Sequence, residues 1–344
     1  MARQNSGKVI TVNGLVEPAA LGRILMHEHL HSDIYDWDRK ELIQEERPLS
    51  AAYRELLVRE AWPELKACHD HGCHAYLDAT MPPWRAWPTF YRETTQATGM
   101  HIILATGFYR EVEDGCYWVK KPADRIWPFV TENPVEKLAE MCIREITEGV
   151  HGTDVRAGVL KLGTSGPRMT PAEIKTFKAA ARAQLATGVH ITTHCTRLGA
   201  ESTQLALLEQ EGVDLNRVAI GHTGWHLSSP GMLGSCLDWM KAGAYFLPTN
   251  LFITDPEGKG ESWRPLVDAI HKIFDAGLGS RLLFGLDSGF CSESKPFSFI
   301  TFGPPPPWMH MFLKVLPAFR AMGLTAAEED FIMRQNPQRL LPVQ

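Results

Sequence analysis

The sequence predicts a (β/α)8 barrel, and three observations carry that prediction. Eight short apolar runs have the length of buried parallel strands, stretches with helical periodicity separate most of them, and 344 residues suffice for one large barrel. Composition agrees, since 44% hydrophobic and 22% charged residues are typical of a folded globular core and not of a disordered or fibrous chain.

The first run is GRILMH near residue 22, followed by CHAYLDAT near 73, HIILATG near 101 and AGVLKLG near 157. VHITTHC near 189, VAIGH near 218, AYFLPT near 244 and RLLFGLD near 281 complete the eight. The intervening stretches AAYRELLVREAWPELKACHDHG, PVEKLAEMCIREITEG, TPAEIKTFKAAARAQLATG and AESTQLALLEQEG carry apolar residues at helical spacing. Several end in Gly, as a helix C-terminus does. No repeat exceeds this strand–helix rhythm and no linker interrupts it, so residues 1–344 read as one domain. Two stretches break the rhythm: FITDPEGKGESW after the seventh strand (about 251–263) and SGFCSESKPFSFITFGPPPPW after the eighth (about 288–308). Both follow strand ends, where barrel enzymes build their sites, so they are read as lid or substrate-wall segments.

A formal net charge of −5 without a long basic run argues against nucleic acid and for a small-molecule partner. The start, MARQNSGKVITVNG, lacks a signal-peptide pattern, and no apolar segment is long enough to span a bilayer, so a cytoplasmic, membrane-free protein is expected. Seven scattered cysteines without a C-x-x-C pair imply buried thiols in place of a disulfide framework. Cys195 follows His194 and should point to the opposite side of their shared strand.

The stretch LMHEHLHSD admits two metal-binding readings. As a helix it presents H-E-x-x-H, with His27 and His31 on zinc and Glu28 as a protease's general base. As a strand it points His27 and His29 to one side and Glu28 away from them. The remaining polar residues favour the strand: Lys161 lies within the fourth strand, while His194, His222 and Asp287 end the fifth, sixth and eighth. In a parallel barrel these ends converge on one face, where imidazoles and a carboxylate make a metal site. The helical reading leaves those four residues without a common purpose and places Gly22 awkwardly within the required helix. Lys161 is the unusual member, because a buried ammonium is costly without a partner. It either takes up carbon dioxide as a neutral amine, giving a carboxylate-like group able to bridge two metals, or extends to the barrel mouth.

The HEH of LMHEHLH, the lysine of AGVLKLG, and ITTHC, AIGHTGW, FGLDSG and NPQRLL together resemble the phosphotriesterase-like lactonase branch of the phosphotriesterase-related family, within the amidohydrolase superfamily. VNGLVEPAALGRILMHEHL, ILATGFYR and EGVDLNRVAIGH fall in the same order, so the resemblance covers nearly the whole chain. It implies that His27, His29 and Asp287 hold one divalent metal, that His194 and His222 hold a second, and that Lys161, N6-carboxylated, bridges them. Zinc is the expected metal, with manganese, iron or cobalt as alternatives. The implied enzyme is a homodimeric hydrolase of a carboxylic ester, lactone or amide that uses a metal-bridging hydroxide, with Asp287 accepting its proton. Organophosphate triester hydrolysis is the alternative, followed by a non-catalytic metal-binding barrel and the H-E-x-x-H zinc protease.

Departures from the family pattern bear on substrate. Trp225 stands where many relatives carry an aspartate that relays protons, and His226 is the candidate replacement. Asn250 stands near the place of a lactonase arginine, which counts against an acyl-homoserine-lactone substrate. Tyr109 corresponds to a tyrosine beside the metals in lactonase relatives. Trp225, Phe252 and the aromatics from Phe297 to Trp308 suggest an apolar pocket, and Arg110 is placed to recognise an anionic substituent.

Overall fold

The computed structural model describes residues 6–31, 45–46, 48–81, 87–111, 127–249, 251, 261–290 and 308–344. Asn250, Phe252, Phe297 and most of the two long loops lie outside the described residues. A hairpin of β1 (Val9–Thr11) and β2 (Gly14–Val16) precedes the main sheet. There follow β3 (Arg23–His31), β4 (Cys73–Asp78), β5 (His101–Gly107), β6 (Ala157–Gly163), β7 (His190–His194), β8 (Val218–Gly221), β9 (Tyr245–Leu247) and β10 (Gly289–Phe290). All the pairings in this sheet are parallel, in the order β10-β3-β4-β5-β6-β7-β8-β9. The first seven predicted strands are thus β3 to β9, and the fold is the predicted (β/α)8 barrel.

Crossover helices form where the periodicity placed them. Residues Pro171–Thr187 show why: Thr170 and Glu173 make a reciprocal capping box, Pro171 opens the first turn, and Gly188 closes the helix in the left-handed region. Between sheet and helices lies one apolar layer, which includes Leu25, Leu30, Leu160, Leu162 and Ile191. A second cluster, including Ile24, Met26, Ala75, Ile103, Val159 and Leu283, fills the barrel itself. Val9, Leu21, Leu340 and Leu341 join this inner cluster and plug the barrel end from which the strands start. Arg217 fastens the chain's end by donating to the carbonyls of Leu340, Gly188 and Pro342.

One predicted strand is irregular. RLLFGLD pairs with β9 through the Phe246–Leu282 bridge and the Leu283 amide on the Phe246 carbonyl at 3.0 Å. Its other edge takes the Met26 amide on the Phe284 carbonyl at 2.9 Å, and gives the Asp287 amide to the His27 carbonyl at 2.8 Å. The segment therefore closes the barrel between β9 and β3 without strand geometry along its length. At its start, Asn336 of NPQRLL donates to the carbonyls of Gly279 and Leu282, at 2.9 and 2.8 Å. At Gly285 any Cβ would stand 2.7 Å from the His27 backbone nitrogen, so only glycine allows so close an approach.

Glu28 explains the rest of the irregularity. Its fully buried carboxylate accepts the amides of Leu286 and Ser288, at 2.7 and 2.9 Å, in place of ladder carbonyls. It faces away from the histidine side, as the alternation predicts, but its partners are this closing segment and not the surrounding helices. His27 to His31 lie within β3, so the helix required by H-E-x-x-H does not form. His31 packs against Phe90 and Tyr91.

Replacing the Glu28 carboxylate by an amide leaves a single acceptor oxygen for two buried amides. Glu28→Gln is expected to lower unfolding free energy by about 1–3 kcal/mol in urea denaturation. An unchanged midpoint and slope would mean that these contacts do not hold the barrel closed.

Candidate metal centre

A bulge in β3 aims the first two site residues. Ile24 and Met26 face the barrel interior and Leu25 the outer layer, so unbroken alternation would send His27 outward. The register against β4 shifts between Leu25 and Glu28, and beyond the shift His27 and His29 face inward. Lys161 stands two residues after the inward-facing Val159 on β6 and needs no such correction. His194 ends β7, and His222 follows β8. His222 and Asp287 adopt φ of 61° and 59°, the left-handed region that side chains other than Gly seldom occupy. Such strain persists where surrounding structure over-determines it, typically at functional sites.

The structure brings six predicted residues together in one buried group: His27, His29, Lys161, His194, His222 and Asp287. Asp287 Oδ1 lies 3.0 Å from His29 Nε2 and 3.4 Å from His27 Nε2, while its Oδ2 lies 3.6 Å from His222 Nδ1. Lys161 Nζ is 3.4 Å from His27 Nε2. The rings of His194 and His222 have centroids 4.1 Å apart, and those of His27 and His222 are 4.8 Å apart. Donor atoms of His27, His29 and Asp287 lie within 4.8 Å of one another, close enough to share a cation.

Two threonines that sequence reasoning missed complete the group. Thr80 Oγ1 lies 2.7 Å from His29 Nδ1, and Thr249 Oγ1 lies 3.0 Å from His222 Nδ1. Hydrogen bonds at that ring position fix the imidazole's tautomer and orientation. The signal was available, because both threonines end apolar runs that read as strands, CHAYLDAT and AYFLPT.

Tyr109 also reaches the group, with its Oη 3.4 Å from His194 Nδ1. The Arg110 guanidinium lies 5.6 Å from the Tyr109 ring centroid, within cation–π range. Trp225 is 63% exposed and lines a cleft of about 610 Å³ together with His222, Thr249 and Leu251. His226 is elsewhere: its Nε2 contacts Glu201, Cys195 and the Arg197 carbonyl, and the structure does not bring it to Asp287.

The electrostatics suit cation binding. Burial pushes His27 and His194 well below the ordinary histidine range and His222 down to about 3, although Asp287 pulls His222 the other way. These imidazoles are neutral at pH 7 and offer lone pairs. Burial alone would push the Asp287 carboxyl up, but His222 and His29 hold it below its usual value. Burial also brings Lys161 down to about 7 against the pull of Asp287, so a neutral amine is accessible near neutral pH. Among the described residues His194 Nε2 is buried without a hydrogen-bond partner, a costly state that a bound cation would relieve. By residue type and placement, the group fits divalent metal ions.

Parallel strands presenting this donor set at their C-terminal ends have the placement of a barrel enzyme's active site. The model of the phosphotriesterase family matches residues 7–341, and the chain belongs to that metal-dependent family. The phosphotriesterase homology protein of Escherichia coli is 26% identical over 324 residues, spanning 92% of this chain and 97% of its own. The N-acetyltaurine hydrolase of Mus musculus is 27% identical over 370 residues, spanning 98% of each chain. Among solved structures, the organophosphorus hydrolase from Deinococcus radiodurans superposes with a TM-score of 0.78 at 26% identity, covering 98% of this chain and 97% of that one. The protein is therefore a hydrolase acting on small molecules. No helix among the described residues is long and apolar enough to cross a membrane.

Metal-free protein should carry these pKa shifts into its stability. An unfolded histidine takes up its proton near pH 6.5, whereas folded His222 resists until about 3, so the unfolded state binds more protons in that window. Stability of chelator-treated protein should therefore fall as pH drops through about 6.5, by up to about 1.4 kcal/mol per pH unit for each such histidine. Lys161 adds the corresponding slope between about 7 and lysine's ordinary value near 10.4, where stability should rise with pH. Burial raises Glu28 and Asp78, whose contributions run the other way, so the comparison is with metal-free His222→Asn. That variant should lose less stability than the wild type from about pH 7 to about pH 5; equal losses would contradict a buried neutral His222.

Proposed function

We propose that the enzyme hydrolyses a carboxylic ester, a lactone or an amide at a binuclear centre. The carrying observation is the placement of Lys161 Nζ inside the buried histidine group, 3.4 Å from His27 Nε2. A lysine there that is neutral near pH 7 can attack carbon dioxide, release one N–H proton to solvent and become a carbamate whose carboxylate would hold two ions. His27, His29 and Asp287 would then hold one ion, His194 and His222 the other, with zinc, manganese, iron or cobalt all suited to such ligands. Two divalent ions would supply an activated water near neutral pH and polarise the substrate's acyl or phosphoryl oxygen.

The chain's own residues supply the remaining steps. Asp287 accepts the proton of the attacking water at its carboxylate and passes it towards the leaving group. Thr80 and Thr249 hold the rings of His29 and His222 in place. Tyr109, beside His194, faces the reacting group, and Trp225 forms the wall of the adjoining cleft. Arg110 would meet an anionic substituent. The mouse relative, an N-acetyltaurine hydrolase, supports an amide substrate. The second reading, organophosphate triester hydrolysis, is supported by the Deinococcus radiodurans structure.

Lys161→Ala should lose two metal equivalents relative to the wild type by elemental analysis, together with all activity. Loss of one equivalent or none would sink the bridging role. Thr80→Val keeps every proposed ligand and should weaken metal affinity roughly 10–100-fold, the effect typical of removing a ligand's hydrogen-bond partner. Assays across ester, lactone, amide and phosphotriester panels identify the substrate class; turnover confined to phosphotriesters would replace the leading reading by the second.

A further inference from the structure

A second cluster of metal-competent donors lies on the opposite side of the β7 end from His194. Cys195 follows β7, Glu201 lies in the first turn of the helix Ala200–Gln210, and His226 belongs to the short helix Gly224–Ser228. All three side chains are fully buried. His226 Nε2 lies 3.6 Å from Cys195 Sγ, 3.3 Å from Glu201 Oε2 and 3.2 Å from the Arg197 carbonyl oxygen. That carbonyl is 4.0 Å from Cys195 Sγ, and the three side-chain donor atoms lie within 4.8 Å of one another.

Hydrogen bonding accounts for only part of this arrangement. One imidazole nitrogen faces three electron-pair donors and carries at most one hydrogen to share among them. Glu201 Oε2 has His226 Nε2 at 3.3 Å as its partner, and beyond that shared ring nitrogen no further donor among the described residues meets it. A buried carboxylate oxygen in that state is costly unless a cation meets it. The 3.3 and 3.6 Å spacings from His226 Nε2 to the carboxylate and the thiol are those of a coordination shell, since zinc bonds of about 2.0–2.3 Å give tetrahedral edges of about 3.3–3.7 Å. The 3.2 and 4.0 Å spacings to the Arg197 carbonyl bracket that range.

We propose that Cys195, Glu201 and His226, with the Arg197 carbonyl, bind one divalent zinc-like ion in a closed tetrahedral site distinct from the barrel-mouth group. The charges balance, because a thiolate and a carboxylate neutralise a divalent ion and leave no net charge in the interior. The thiol proton leaves to solvent as the ion enters. A four-donor site without an open position is structural in kind. It ties the connection after β7 to the helix after β8, the two segments that follow His194 and His222. No signal of the C-x-x-C type marks it, since its ligands come from three separate elements.

Cobalt substitution tests the site in the intact protein. The barrel-mouth donors are nitrogen and oxygen only, so a thiolate-to-cobalt charge-transfer band in the near ultraviolet reports Cys195 alone. The wild type should show this band, and Lys161→Ala should keep it along with one metal equivalent while losing the barrel pair. Cys195→Ser should lose the band and one equivalent. Glu201→Gln, which retains the thiol and every other donor, should release the same equivalent, so the result does not hang on the folding of a single variant. A fully loaded wild type without a thiolate band, or metal content unchanged in both Cys195→Ser and Glu201→Gln, would overturn the proposal. Neither result bears on the barrel-mouth reading, which Lys161→Ala tests separately.

Discussion

The Glu28 carboxylate and the two amides it accepts, from Leu286 and Ser288, are the contact on which the candidate metal centre depends. The last barrel segment must close the sheet while placing Asp287 in the left-handed region, and a regular ladder cannot do both. A side-chain carboxylate supplies acceptors where the neighbouring backbone has turned away. The bulge in β3 acts from the other side of the same seam, turning His27 and His29 inward while Glu28 points back to the closing segment. One departure from strand regularity thus serves the imidazoles and the carboxylate together. Without it, the alternation begun by Ile24 and Met26 would face His27 into the outer apolar layer.

Burial sets the chemistry of the group so formed. Four imidazoles, an amine and a carboxylate are packed together in a buried group, where charge is expensive. Neutral His27, His194 and His222, a depressed lysine and an ionised aspartate are the protonation states that such packing selects. They are also the states in which these side chains bind cations. On the outer side of β7 the same reasoning applies to Cys195, Glu201 and His226, whose donors crowd one ring nitrogen. Adjacent residues on one strand end, His194 and Cys195, therefore serve two different groups because alternation sends them to opposite sides.

Much of this was legible in the chain. Seven of the eight predicted runs form regular strands, and all six predicted metal-ligand candidates gather in one buried group. The strand reading of LMHEHLHSD prevails over the helical one, and His31 packs on Phe90 and Tyr91. Other assignments depended on direction. His226 sits close to His222 in sequence, yet its ring turns to Glu201 and Cys195 and not to Asp287. Thr80 and Thr249 carried the same signal as the histidines, a polar residue ending an apolar run, but their role required knowing which ring nitrogen they meet.

The sequence by itself determined the strand–helix rhythm, the barrel and the residue types at its mouth, because periodicity and strand-end position are local properties of the chain. Only the tertiary structure decided the bulge, the left-handed turns at His222 and Asp287, the partners of Glu28 and the convergence of Cys195, Glu201 and His226. These arise where segments far apart in sequence compete for the same backbone and side-chain hydrogen bonds. The outcome of that competition depends on packing in three dimensions, which no local pattern records.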